Sequence, residues 1–149
     1  MVYIKTAVIV LVISMVLSLV LTYASILTIV ETSKENTERV LNSFVTENAT
    51  HIFNSIKNGN DFTQSIDENY FVSKYSLDGS LDFDGSSLYN VNCEGGYVYR
   101  LSIPQITFTI TNTLNLTCTY NLMIPFDFAG KRFTELIIPI RVKTNYNLK

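Results

Sequence analysis

Hydrophobic and polar positions follow three different rhythms along this chain. From Thr6 to Val30 no residue carries a charge, and from Ala7 onward the apolar run is broken only by Ser14, Ser18, Thr22, Ser25 and Thr28. A helix rises about 1.5 Å per residue, so this segment is roughly 37 Å long, enough to cross a hydrocarbon core of ~30 Å with modest tilt. From Glu31 no Pro or Gly appears before Gly59, and apolar residues recur in steps of three and four at Val40, Leu41, Phe44, Val45, Ile52, Phe53 and Ile56. That is the stripe of an amphipathic helix, with Gly59 as its stop and Lys57 favourably placed in its last turn. Beyond Gly59 the period falls to two. Ile106, Phe108 and Ile110 alternate with threonines, and Leu114, Leu116, Cys118, Tyr120 and Leu122 alternate with polar residues. Tyr97, Tyr99, Leu101 and Ile103 are expected to share one face, as are Leu136, Ile138, Ile140 and Val142. Such alternation marks antiparallel strands with one solvated face.

These rhythms predict an α+β chain. A long N-terminal helix, transmembrane over residues 1–30 and amphipathic over 31–58, packs on a small antiparallel β-sheet in an extracytoplasmic domain, 59–149. Turn signals at Asp78-Gly79, Asp84-Gly85, Gly95-Gly96, Pro104, Asn112 and Ala129-Gly130 delimit strands near 96–103, 105–111, 114–124 and 132–144, with a further strand expected near 70–77.

Two readings of the apolar segment compete: a retained anchor, and a secretory signal cut after Ala24. The run continues through Ile26, Leu27, Ile29 and Val30, longer than a signal requires, which favours retention. With Lys5 before the span and a large domain after it, the amino terminus is expected in the cytoplasm and residues 31–149 outside, in a single-pass arrangement in the cell membrane. Ser14, Ser18, Thr22 and Ser25 fall on one helical face. They are either a helix-contact face in the membrane or hydroxyls tolerated by bonding back to their own backbone.

Charge adds a second asymmetry. Residues 58–94 hold seven acidic side chains and one Lys, whereas residues 131–149 hold five basic ones and one Glu. Opposite patches suit head-to-tail contact between copies, a homo-oligomer, although solvated loops give the same count. A net charge of −2 gives no reason to expect nucleic acid.

Chemistry-bearing residues are scarce. His51, the one histidine, borders the amphipathic stripe, and a border position on a packed helix accounts for it. No nucleophile elbow, phosphate loop or zinc spacing is present, so no enzymatic activity, cofactor or metal is expected. Ser80, Asp82, Asp84 and Gly85 resemble the start of a calcium loop, but the twelfth position is Val91, and an acidic turn accounts for them better. Cys93 and Cys118 are either a disulfide closing about 25 residues, worth roughly 3 kcal/mol, or, for Cys118, a buried thiol on the apolar face.

The order of parts, a short tail, a membrane helix continuing into an amphipathic half, then a small antiparallel sheet, resembles the type IV pilin-like proteins. The segment TYNLMIPFDFAGKRFTELIIPIRVKTNYN, with Pro125, a Phe-Ala-Gly turn and Pro139, is similar to the closing hairpin of TadE-like pseudopilins of tight-adherence pili. The resemblance implies a structural or assembly subunit of a pilus or secretion apparatus. Its partners would be the membrane and other pilin-like subunits or an assembly platform. The family's basic leader ending in Gly, and its Glu five residues into the apolar segment, have no counterpart in Met1–Val30. The resemblance therefore does not extend to peptidase processing or to Glu-to-amine pairing. A second class of function stays open: an anchored extracytoplasmic module binding a ligand or envelope component, with Tyr97, Tyr99 and Tyr120 as its aromatic surface, unless parity buries them.

Overall fold

A computed structural model describes residues 2–59, 68–92, 95–110, 113–128 and 131–147. The chain forms two compact units, Met1–Thr32 and Ser33–Lys149. The first helix, α1, runs Val2–Lys57, within a residue of the expected span.

Over residues 3–21 of the first unit the apolar side chains are all exposed: Leu11, Met15 and Leu19 are each more than 60% so. This segment is long and apolar enough to cross a membrane. Four of its hydroxyls are satisfied locally. Ser14 donates to the Leu11 carbonyl at 2.8 Å, Thr22 to Ser18 at 2.9 Å, Ser25 to Leu21 at 3.0 Å and Thr28 to Ala24 at 3.0 Å.

The second unit begins at Ser33. Within it α1 buries Val40, Leu41, Phe44, Val45 and Ile52, as the stripe predicts, while Phe53 is 52% exposed. Gly59 ends the helix with φ +69°, donating to the Ile56 carbonyl, the left-handed geometry that suits glycine. A second helix, α2 (Glu68–Gly79), replaces the strand expected near 70–77. Tyr70-Phe71-Val72 has local β propensity, but Phe71, Val72 and Tyr75 lie three and four apart and all are buried. Helical spacing brings them onto one face, and tertiary packing overrides the propensity. Phe71 packs edge-on against Phe44 of α1 at 5.3 Å and against Tyr75 at 6.0 Å.

The sheet is formed by β1 (Asp82–Phe83), β2 (Ser87–Val91), β3 (Tyr97–Ser102), β4 (Gln105–Ile110), β5 (Thr113–Phe128) and β6 (Lys131–Asn147). All pairs are antiparallel. β6 pairs with the whole length of β5, so β3 and β4 must share the opposite edge of β5. They act as one strand interrupted at Ile103-Pro104. Leu101 faces Leu122 and Ile106 faces Cys118, so one extra residue is accommodated there as a bulge. The Ser102 hydroxyl accepts the Asn121 N–H at 2.9 Å where the ladder is broken.

The bulge corrects the expected common face of Tyr97, Tyr99, Leu101 and Ile103. Tyr99 and Leu101 are buried, but Ile103 is 43% exposed. At the other end a second irregularity pairs Asn90 with Tyr99 and Val91 with Tyr97, turning Tyr97 away from its expected face. The first bulge also lets odd-numbered core residues of β3 align with even-numbered ones of β4 and β5. Leu114, Leu116, Cys118, Tyr120, Leu122 and Ile124 all point inward from β5. Each fully buried leucine contributes roughly 1.5–3 kcal/mol.

Candidate functional site

Three places in the fold gather polar or exposed apolar groups. The first is the face of Ser14, Ser18, Thr22 and Ser25. All four lie on α1 in the first unit, and all but Thr22 are exposed. Three of these hydroxyls bond back to backbone, so the face offers small size to a neighbouring helix more than free donors.

The second is a buried seam of hydroxyls in the second unit. Ser33 and Thr37 stand one turn apart on α1, on the same side as Val40 and Leu41, and are 1% and 0% exposed. Thr37 donates to the Ser33 carbonyl at 2.7 Å, and its oxygen meets the Tyr75 hydroxyl at 2.6 Å and the Tyr120 hydroxyl at 2.9 Å. Ser33 Oγ lies 2.8 Å from the Tyr120 hydroxyl. With its own hydrogen committed to Ser33, Thr37 accepts from Tyr75, and every hydroxyl finds a partner. The seam thereby ties α1, α2 and β5 at one point. Burial raises the Tyr75 and Tyr120 hydroxyls above the ordinary tyrosine value. Tyr99, also raised by burial, is hydrogen-bonded by Asn36. The spacing of Ser33 and Thr37 with Val40, Leu41 and Phe44 is the signal that marks them in sequence as core-facing.

Beside this seam, Lys74 of α2 is held between Glu47 at 2.7 Å and Asp78 at 2.9 Å. Tyr70 also donates to Glu47, at 3.0 Å. The hydrogen bond from Lys74 is the main cause of the lowered Glu47 carboxyl, and the same bond raises the Lys74 ammonium. These contacts fix α2 against α1.

The third place is the outer sheet face. Glu135 of β6 accepts from Tyr97 at 2.6 Å and Arg100 at 2.7 Å. Below it a groove of about 700 Å³ opens over the bulge, lined by Ser102, Gln105, Thr119, Asn121, Pro139 and Arg141 among others.

Of the aromatic surface considered from sequence, Tyr99 and Tyr120 are core residues, 6% and 4% exposed, and Tyr97 is half-buried and bound to Glu135. Cys118 is a buried, free thiol pushed up to about 12 by burial. Cys93, its expected partner, lies outside the described residues. Asp84, in the acidic turn, accepts from the Ser86 and Ser87 N–H groups at 2.8 and 2.7 Å and from the Ser86 hydroxyl at 2.9 Å, which lowers its carboxyl pKa. Its carboxylate thus shapes the β1–β2 turn. His51 lies on an exposed part of α1. No family model, curated protein or solved structure matches this chain.

Proposed function

We propose that this protein is a membrane-anchored, pilin-like structural or assembly subunit of a pilus or secretion apparatus. One observation carries the proposal: a single helix supplies both an uncovered apolar segment of membrane-spanning length and, from Ser33 onward, a buried spine for an antiparallel sheet. An isolated soluble domain gains nothing by exposing such a segment to water. In lipid the segment is satisfied, and its face of small hydroxyl residues provides a contact for other helices. The amino terminus lies in the cytoplasm and the sheet unit outside. No catalytic role is part of the proposal.

The groove over the bulge favours a second reading, an anchored binding module, because its polar lining could hydrogen-bond a ligand. Purification of the full-length protein from native membranes in mild detergent separates the two. Co-purification of pilin-like or polytopic membrane proteins, with the chain intact through Thr6–Val30, is the result expected. A mature chain beginning at Ser25 would overturn the anchored subunit and leave a released domain. Ser14→Leu with Ser18→Leu should lower co-purification several-fold; unchanged recovery would remove the helix-contact face from the proposal.

A further inference from the structure

The two ends of the sheet carry opposite charge, and their backbones match in one register. β1 and β6 run in the same direction, since the intervening strands alternate. At one end Asp82, Phe83 and Asp84 are exposed. Asp84 N–H bonds back to the Ser87 carbonyl of β2, so by alternation the backbone groups of Phe83 point outward from the sheet. At the other end Asn121 N–H points towards Ser102 of β3, so its partner Pro139 directs its backbone away from β5. Arg141 and Lys143 therefore also present their N–H and carbonyl groups to the open edge, and both side chains are exposed.

We infer that copies of this protein join edge to edge, β1 of one beside β6 of the next, with Phe83 opposite Val142. In a parallel pairing Phe83 N–H then meets the Arg141 carbonyl, and Lys143 N–H meets the Phe83 carbonyl. The same register brings Asp82 beside Arg141 and Asp84 beside Lys143, because each pair is separated by two residues on the same sheet face. Phe83 lies in one row with Leu88, Leu101, Leu122 and Ile138. Moving it from the level of Ile138 to that of Val142 displaces the second copy by four residues, about 13 Å, along the strands. The unstaggered alternative places Phe83 opposite Ile138 and needs an N–H from Pro139, which has none. Glu135 does not spoil the sign of the edge, being engaged by Arg100 and Tyr97. A contact between unlike edges with an axial displacement does not close on itself, and so propagates.

This contact deepens the subunit reading, and it is tested on the full-length chain in native membranes with Cys93→Ser as background. Asp82→Cys and Arg141→Cys, placed on separately tagged chains, should form a mixed disulfide, and on one chain they should give a ladder of multimers. Dimers only of like with like, stronger linkage of Asp82→Cys to Ile137→Cys, or no linkage would each overturn the register. Without new cysteines, Arg141→Glu and Asp82→Arg singly should reduce multimers in detergent at least fivefold, and together restore them. Multimers unaffected by either reversal would overturn the contact. A ladder without co-purifying apparatus proteins would overturn the apparatus and leave the contact standing; apparatus proteins without a ladder would do the opposite.

Discussion

At the scale of single residues, Thr37 carries more than its size suggests. Thr37→Val keeps shape but removes the main acceptor of the Tyr75 hydroxyl in a dry site, while Tyr120 keeps Ser33, and should cost about 2–3 kcal/mol. Tyr75→Phe removes one donor and should cost only about 1 kcal/mol. Urea unfolding would rank them, and the reverse order would refute the hydrogen-bond assignment. Ser80 is a contrasting case. It follows α2 at φ +53°, while Leu81 N–H closes the helix on the Ser76 carbonyl. The sequence points to Gly79 as the breaker, yet the left-handed position falls one residue later. Ser80→Gly should therefore raise stability by about 0.5–1 kcal/mol. Cys118 adds a pH dependence. Its folded thiol sits near 12 against an ordinary 9.0, so its contribution is complete below pH 9 and is lost as pH rises from there towards 12. Cys118→Ala should flatten that part of the stability profile, as measured by urea midpoints across the range.

At the scale of elements, the bulge at Ile103-Pro104 is a surplus residue, so neither its identity nor its presence should decide the register. Ile103→Ala alters a side chain already 43% exposed and should cost less than about 1 kcal/mol. Deleting Ile103 removes the surplus residue and leaves one regular strand in which Leu101 still faces Leu122 and Ile106 still faces Cys118, so Ile106 and Phe108 keep their face. Both variants are therefore expected to unfold cooperatively, and loss of cooperativity in the deletion, followed by urea unfolding, would refute the bulge. The same feature explains where sequence reading succeeded and failed. Alternation located β3, β4, β5 and β6 closely, and helical spacing placed Val40, Leu41 and Phe44 in the core. Alternation alone could not register an extra residue at Val98 or Ile103, because bulges are defined by the partner strand. β2, with only Leu88 fully apolar and buried, has too short a pattern to stand out. For α2, aromatic and β-branched residues outweighed a spacing that only contact with Phe44 makes decisive.

At the scale of the whole molecule, the division at Ser33 has a direct consequence. All the buried core side chains, from Val40 to Val142, belong to the second unit. A chain of residues 33–149 carrying Asp82→Arg, which blocks the edge contact, should stay monodisperse without detergent and unfold within about 1 kcal/mol of the full-length protein with the same substitution. Aggregation of that piece, seen by light scattering, would mean its core depends on residues before Ser33. Of the polar sites, the hydroxyls of the apolar segment were legible because nothing else interrupts the run. The hydroxyl seam and the Arg100–Glu135 pair were not, since they join residues far apart in sequence. The absence of tryptophan among nine tyrosines gives the seam one more use. Tyr75 and Tyr120 lie with ring centroids 6.3 Å apart and out of contact with water, and with phenylalanine absorbing only at shorter wavelengths, the long-wavelength ultraviolet absorption and emission of this protein come from tyrosine. Opening of the junction between α1, α2 and β5 should therefore announce itself optically, without any attached dye.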